Sequence, residues 1–286
     1  MDRRRVNGPE ISATPLPLPD AAKGTSVYPR VHDLASLQSS LASLSASRSD
    51  NRSSTDPRPL FLKTGLVANA SGSAYLEQGH TRVACAVHGP RPIKRGSALF
   101  SFSSSAILTC DFVFAPFALP QRMKTSGPAG TRSNEEMAVM QEYSLIINEA
   151  LSPAIRLHLY PKSAIDVAVT VLECDGMHAA LAAAVTCASA ALADAGIEMI
   201  DIVTAASGVF AATSQQLARQ SKDSKTSSGG QVFVALMPNL NQIAHVVTEG
   251  EISPDSLRDS IDTLVDTCIK GQAAVQHWLT KAADLA

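Results

Sequence analysis

The sequence predicts an α+β fold, with mixed β-sheets packed with helices and a disordered N-terminal extension. Segments that alternate with the two-residue period of β-strands come in groups, and helical segments lie between the groups rather than after every strand. The first 57 residues are rich in Pro, Ser, Arg and Asp and contain no Phe or Trp. This order of elements does not fit a doubly wound parallel sheet.

The N-terminal extension, residues 1–57, cannot bury enough apolar surface to offset the entropy cost of ordering the chain. We therefore expect it to be largely disordered and residues 58–286 to form one domain. One segment of the extension has leucines at helical spacing, which indicates either a short docking helix or a weakly ordered surface helix. These leucines are Leu34, Leu37, Leu41 and Leu44.

The composition limits the class of protein. Of the 286 residues 45% are hydrophobic, enough to bury a substantial core. The formal net charge is -2, so any contact with RNA must come from a local patch. The cysteines show no CxxC spacing, which predicts buried free thiols, no metal site and no cofactor. No apolar run follows the basic start, and none reaches the roughly 20 residues of a membrane span, so we expect a soluble intracellular protein without membrane contact.

The strands are predicted from short alternating runs. LFLKTGLV, SAYLEQG and TRVACAVHG are separated by Asn, Ser and Gly, which is typical of a β-meander. AILTCDFVFAPF predicts another strand, ended by Pro116. In IDVAVTVLE one face carries only apolar residues, Ile165, Val167, Val169 and Val171. IDIVTAASGVF predicts a further pair of strands, and VFVALMPNLNQIAHVVTEG predicts two antiparallel strands.

Three helices are predicted from spacing and caps. The first follows a capping box in SNEE, with Ser133 as N-cap. The second runs from about His178 to Ala195 and ends at Gly196. The third has Ser253 as cap and Pro254 in its first turn. Its predicted buried stripe consists of Leu257, Ile261, Leu264, Val265, Cys268, Val275, Trp278 and Leu279.

Several segments together resemble the RNase PH-like family. TGLVANASGSAYLEQGHTRVACAVHGPR resembles the opening sheet of these proteins, and CDFVFAPFA resembles their next strand. EALSPAIRLHLYPKSAIDVAVTVLE resembles their central helix-to-strand unit. Two further segments, AALADAGIEMIDIV and VALMPNLNQIAHVVTEGEISPDSL, resemble the second half of these proteins. The similarity runs in order from about Pro59 to the C-terminus.

The resemblance implies a fold and a choice of functions. Active members degrade RNA from its 3′ end by phosphorolysis, whereas six such subunits of the eukaryotic RNA exosome form a largely inert ring that threads RNA to a separate hydrolytic nuclease. The N-terminal extension, CDFVFAPFA and ECDGMHAALAAA most resemble the ring subunit type known for an mRNA-transport defect. The resemblance implies these partners: other RNase PH-like subunits, as a heterodimer within a six-membered ring, RNA-binding cap subunits, the nuclease and RNA. It also implies location in nucleus, nucleolus and cytoplasm.

The turn ECDGMHA decides between these functions. Active members carry a turn like QADGGTR at this point. Its small residues let the phosphate approach the backbone N–H groups, and its Thr and Arg side chains bind the phosphate. Asp175 and Gly176 match that pattern, but Met177 replaces the second Gly and the Thr-Arg pair is missing. His178 cannot replace a bidentate guanidinium, and Asp175 would repel phosphate unless countered. We interpret the turn as a degenerate phosphate site.

A second requirement of phosphorolysis is a carboxylate for proton transfer or metal binding. Active members place aspartates just before the strand that matches VFVALMP, where this chain has Gly229, Gly230 and Gln231. No catalytic residue is therefore assigned, and the chain is predicted not to be an enzyme. The alternatives are an active phosphorolytic 3′-to-5′ exoribonuclease and an unrelated α+β binding protein.

Basic residues remain candidates for contact with RNA. GPRPIKRG places Arg91, Lys94 and Arg95 in one predicted loop, which either binds RNA phosphates in the pore of a ring or is a solvated basic loop. Arg122 and Lys124 are a second candidate contact with RNA or a cap subunit. Arg82 lies within a strand and is predicted to be a paired structural arginine.

Overall fold

The computed structural model describes residues 57–93, 104–118, 134–211, 229–250, 252 and 254–283. The predicted disorder of residues 1–56 and the predicted caps Ser133 and Ser253 lie outside these ranges.

The first six strands and α-helices of the described residues are β1 (Leu60–Thr64), β2 (Gly72–Gln78), β3 (Thr81–Pro92), β4 (Ile107–Phe114), α1 (Asn134–Leu151) and β5 (Ser163–Glu173). Their five strands form sheet A, in the order β1-β2-β3-β5-β4. The predicted meander is confirmed, because β1, β2 and β3 pair in antiparallel fashion. Helix α1 follows β4 along the chain, and β5 then pairs parallel to β4. The four apolar residues predicted on one face of β5 are all buried.

Sheet B has three antiparallel strands, β6 (Thr204–Ala211), β7 (Gly229–Met237) and β8 (Gln242–Glu249). The predicted strand pair in IDIVTAASGVF is wrong, because β6 is a single strand. The two residues directly before β6 are bound by side chains instead: the Asp201 carboxylate accepts a hydrogen bond from the Ile202 N–H, and Ser189 Oγ accepts one from the Val203 N–H.

Helix α2 (Met177–Asp194) lies between the two sheets. One side of it packs on β2 and β3, and the other packs on β6 and β7. Every side chain from His178 to Leu192 is therefore buried. Gly196 ends the helix as predicted, with a left-handed φ of 69° that favours glycine.

Among the helices of the described residues, one is long and apolar enough to cross a membrane, and this helix is α2. However, 83% of it is buried inside the domain, as in the core helix of a water-soluble domain.

Helix α3 (Pro254–Ala283) covers the opposite face of sheet B. Its predicted stripe is confirmed, since Leu264, Cys268 and Val275 are buried and the other members pack against the core. The C-terminal part of α3 reaches sheet A, where Trp278 Nε1 donates a hydrogen bond to the Leu60 carbonyl oxygen over 3.1 Å.

The cysteine thiols are free and buried, as predicted. Burial raises the pKa of Cys174 to about 11 and the pKa of Cys110 and Cys268 to about 12, from a usual value of 9.0. Burial also raises the pKa of Cys85 and Cys187. The folded protein therefore keeps these thiols protonated at a pH at which the unfolded chain ionises them.

We expect the domain to lose stability steeply above pH 9. Because each folded pKa is raised, the stabilisation by each thiol is complete below pH 9 and falls by about 1.4 kcal/mol per pH unit as the pH rises towards the folded pKa. Urea unfolding at pH 7 to 11 measures this dependence. Cys268→Ala should make the fall in unfolding free energy per pH unit smaller by the contribution of one thiol. Val275→Ala should lower the free energy of unfolding at every pH and leave its dependence on pH unchanged. An unchanged slope in Cys268→Ala would contradict the prediction.

Candidate functional site at the turn before the core helix

The turn Cys174–Gly176 joins β5 to α2. The Cys174 N–H donates to the Ala118 carbonyl oxygen over 3.2 Å, which fixes the start of the turn beside the end of β4. Gly176 is the N-cap of α2, with extended backbone (φ -170°) and no side chain to cap the helix. A β-carbon at Gly176 would meet no atom within 4 Å. An uncapped helix N-terminus of this kind favours an anion where positive charge is also available.

The carboxylate in the turn is already neutralised by the chain. Arg58 Nη1 lies 3.0 Å from Asp175 Oδ2, and both side chains are mostly buried. The sequence indicated that Asp175 would repel phosphate but did not indicate its counterion. The two residues are 117 positions apart, so no local pattern signals the pair. Arg58 therefore balances a protein carboxylate rather than presenting an unpaired charge to a ligand.

We expect the Arg58–Asp175 pair to be structural. Arg58→Ala should lower the free energy of unfolding by about 2 kcal/mol, because it leaves a mostly buried carboxylate without its counterion. The double variant Arg58→Met/Asp175→Asn should recover part of this loss, because it removes both charges. Urea unfolding of Arg58→Met, of Asp175→Asn and of the double variant gives the coupling energy. Strictly additive losses would contradict a direct interaction.

His178 lies in the protein interior rather than at an open ligand site. Its side chain is only 7% exposed, and Nε2 donates a hydrogen bond to Glu249 Oε2 over 3.0 Å. Nδ1 is buried without a hydrogen-bond partner. The ring also lies near Tyr143 of α1, whose pKa is raised by burial. His178 thus connects the start of α2 to the end of β8.

The start of β7 carries no carboxylate. A β-carbon at Gly230 would overlap the side chain of Ile252, so glycine allows close packing there. The residue before it, Gly229, has no side chain, and Gln231 is uncharged. An acid at position 230 would require the Ile252 side chain to move. The nearest acid before Gly229 in the sequence, Asp223, lies outside the described residues.

The basic candidates are only partly described, and Arg91 is not in the predicted loop. It lies in β3, opposite Ala164 at the start of β5, and its Nη2 is 3.5 Å from Asp166 Oδ2. The turn follows the other end of β5, roughly 30 Å away at about 3.3 Å per residue. The structure therefore separates Arg91 from the turn. Lys94, Arg95, Arg122 and Lys124 lie outside the described residues.

Arg82 is the second arginine beside the turn, and its predicted pairing is confirmed. It lies 3.2 Å from Glu77 and 3.4 Å from Glu173, and these carboxylates raise its pKa. Both arginines near the turn, Arg58 and Arg82, are thus bound to carboxylates. Within the described ranges, no three His, Cys, Asp or Glu side chains are grouped to hold a metal ion. The turn has a helix N-terminus but no described unpaired cation with which to hold phosphate.

The sequence profile of RNase PH, described as the 3′ exoribonuclease family, domain 1, matches residues 56–198. The chain belongs to the RNase PH family. Among relatives, the exosome complex component mtr3 of Schizosaccharomyces pombe is 34% identical over 94% of this chain and 90% of its own length. The exosome complex component MTR3 of Homo sapiens is 36% identical over 81% of this chain and 86% of its own length. The exosome complex component Rrp41 of Nitrosopumilus maritimus is 34% identical over 77% of this chain and 85% of its own length.

Solved structures share the RNase PH fold with this chain. Rice Rrp46 has a TM-score of 0.63 at 20% identity and covers 81% of this chain and all of its own. A chain of the Archaeoglobus fulgidus exosome with RNA bound to the active site also has a TM-score of 0.63, at 15% identity, over 83% of this chain and 96% of its own. Because both identities are below 25%, these similarities bear on the fold alone. They confirm the predicted RNase PH-like arrangement of mixed sheets and helices.

Proposed function

We propose that this chain is a non-catalytic ring subunit of the eukaryotic RNA exosome. In this role it forms part of the wall of a central RNA channel and leaves 3′-to-5′ RNA processing and degradation to an associated nuclease. The observation that carries the proposal is the turn before α2, in which Arg58 is bound to Asp175 and His178 is buried against Glu249.

Phosphorolysis needs positive charge where the phosphate dianion binds, because phosphoryl transfer depends on positioning and on electrostatic stabilisation. At this turn the described cations, Arg58 and Arg82, are bound to carboxylates of the protein. Position 230 at the start of β7 is a glycine packed against the Ile252 side chain rather than an acid. Both features favour an architectural role over the alternative of an active exoribonuclease.

The relatives support assembly into a ring. The fission yeast, mouse and human relatives are each named an exosome complex component. We propose that the neighbours of this chain are other RNase PH-like subunits, that cap subunits and a hydrolytic nuclease bind the ring, and that RNA passes through it. We further propose that the chain acts in the nucleus, the nucleolus and the cytoplasm, which imaging of the tagged protein at native expression would test.

Catalysis is tested by incubating the purified chain with single-stranded RNA and inorganic phosphate and measuring nucleoside diphosphate release. We expect no release above the blank. An active RNase PH serves as the positive control under the same conditions. Phosphate-dependent release of nucleoside diphosphates by this chain would overturn the non-catalytic assignment.

Assembly is tested separately by co-expressing the chain with RNase PH-like ring subunits and measuring the mass of the purified complex by light scattering. We expect a heterodimer with one partner and a six-membered ring with the full set. A chain that stays monomeric with every partner would instead favour an unrelated binding protein.

A further inference from the structure

Strand β1 carries an aromatic residue on the face of sheet A that is turned away from the core. Leu62 is buried in the core, and successive side chains of a strand point to opposite faces, so Phe61 and Lys63 share the other face. Phe61 is 41% exposed, and Lys63 is also exposed. This face of β1 therefore presents an aromatic ring beside a cation.

Helix α3 adds a second aromatic ring at the same place. The ring centroids of Phe61 and Trp278 are 4.9 Å apart, and the two rings are inclined at 72°. In such an edge-to-face pair the edge of one ring contacts a single face of the other, so at least one face of Phe61 is free of Trp278. Trp278 is itself fixed, because Nε1 donates a hydrogen bond to the Leu60 carbonyl oxygen. The exposed ring of Phe61 is thus held in place by its strand and by its neighbour.

Two lysines flank this aromatic pair. Lys281 Nζ lies 5.0 Å from the centroid of the tryptophan ring, and Lys63 follows Phe61 by two residues. Among the residues with described positions, neither ammonium group is paired with a carboxylate. Glu77, opposite Phe61 in β2, binds Arg82 instead. We call the surface formed by Phe61, Lys63, Trp278 and Lys281 the β1 corner.

The β1 corner combines the two elements with which proteins bind single-stranded nucleic acid. Bases of any sequence stack on an aromatic ring, and lysines bind the phosphates beside them. A β-strand is disfavoured as the occupant here, because Trp278 already bonds to the start of the edge strand β1 at Leu60. An acidic peptide would use the two lysines but would gain little from the exposed face of Phe61.

We propose that the β1 corner binds single-stranded RNA, an inference that rests on the proposed function of the chain in the RNA exosome. One base stacks on the free face of Phe61, and Lys63 and Lys281 bind the phosphates that flank this base. Such contacts do not read the sequence, because every base has a π-face and every nucleotide carries a phosphate. The corner thus supplies an RNA contact by residues other than those of the turn before α2.

The tryptophan of the corner is the single tryptophan of the chain, so its fluorescence reports binding at this place. The purified full chain is titrated with short oligouridylate and oligocytidylate, and Kd is obtained from the quenching of Trp278 and from the anisotropy of labelled RNA. We expect similar affinities for both sequences. Phe61→Leu keeps an apolar side chain but removes the ring, and should weaken binding at least ~5-fold.

Phe117→Leu is the matched control for the aromatic ring. Phe117 is 74% exposed and follows β4, which lies at the opposite edge of sheet A from β1. The control variant should bind RNA as the wild type does. Circular dichroism confirms that both phenylalanine variants are folded.

The dependence of Kd on salt separates the lysines from the ring. Each phosphate contact of a single strand contributes ~0.7 to the slope of log Kd against log salt concentration. Lys63→Gln and Lys281→Gln should therefore each lower this slope by ~0.7, whereas Lys281→Arg and Phe61→Leu should leave it unchanged. Lys270→Gln, at an exposed position about 16 Å earlier along α3, is the matched control for charge and should also leave the slope unchanged.

The assembled complex tests whether the corner is open to RNA there. RNA that carries a photoreactive uridine should crosslink to residues 60–64 of this chain in the co-expressed ring. A missing crosslink would show that a neighbouring subunit covers the corner, and would overturn the inference.

Other results also overturn it: no binding of RNA by the wild type, unchanged affinity in Phe61→Leu, or equal losses in Phe61→Leu and Phe117→Leu. Weaker binding in the lysine variants alone would indicate a contact with any polyanion rather than a stacked base. Each of these outcomes leaves the ring function standing, because the mass of the co-expressed complex measures assembly independently. Failure to assemble with any ring subunit refutes the proposed function, whatever the RNA titration gives.

Discussion

Replacing Gly72 with valine is expected to prevent the domain from folding to a soluble state. A β-carbon at this position would overlap the backbone nitrogen of Ala195 and lie 2.6 Å from the carbonyl oxygen of Ala191. Both atoms belong to the backbone at the end of α2, so no side-chain rotation relieves the overlap. Next to it, the Ser73 N–H donates to Asp194 Oδ2 over 2.9 Å and holds β2 against the helix. We expect a loss of about 4 kcal/mol or more in the free energy of unfolding.

Soluble yield and urea unfolding measure this effect, and Gly72→Ala tests the same contact with the smallest side chain. Gly176→Ala is the matched control, because a β-carbon there meets no atom within 4 Å and the backbone is extended. Gly271→Ala, within α3, also meets open space and should stabilise the helix by up to about 1 kcal/mol. Normal stability of Gly72→Ala would show that β2 and α2 lie further apart than described.

Asp201→Ala is expected to lower the free energy of unfolding by about 3 kcal/mol, because it leaves buried hydrogen-bond donors without an acceptor. Asp201 is 5% exposed, and its carboxylate accepts hydrogen bonds from the backbone N–H and the side-chain amide of Asn239 over 2.8 and 2.7 Å. It also accepts one from the Ile202 N–H over 2.7 Å. The carboxylate thereby joins the entry to β6, the β7–β8 turn and, through Gln272, α3.

Urea unfolding again provides the measurement, with Asp201→Asn as the shape-conserving variant. Asparagine retains one acceptor oxygen but directs an amide at the donors, so an intermediate loss is expected. Asp266→Ala, at an exposed position on α3, should change stability by less than about 0.5 kcal/mol. Equal stability of Asp201→Ala and Asp266→Ala would contradict the role assigned to the buried carboxylate.

The sequence predicted those parts of the fold that depend on local periodicity. Alternation in β5 identified Ile165, Val167, Val169 and Val171 as buried, because a strand directs successive side chains to opposite faces. The end of α2 was equally predictable from Gly196. In contrast, the strand pair predicted around residue 201 is wrong, because the run there makes single contacts with distant residues rather than a ladder. The Ile200 N–H donates to the Ala154 carbonyl oxygen, and the Val203 N–H donates to Ser189 Oγ.

The candidate site was predictable in its turn but not in its partners. The sequence indicated that Asp175 and Gly176 lie between a strand and a helix, since the period changes there. It did not indicate Arg58 or Glu249 as partners, because each contact joins distant parts of the chain. The position of Arg91 in a strand was also missed, because GPRP reads as a turn although β3 continues to Pro92.

The alanine content of α2 has a consequence for the dimensions of the domain. Sheets A and B pack on opposite sides of the same helix, so the diameter of α2, including its side chains, sets the distance between the two sheets. The many alanine side chains of α2 allow the two sheets to lie close to the helix. A bulkier residue at the middle of α2 would push the two sheets further apart. The separation of the two sheets thus depends on the small side chains of one buried helix.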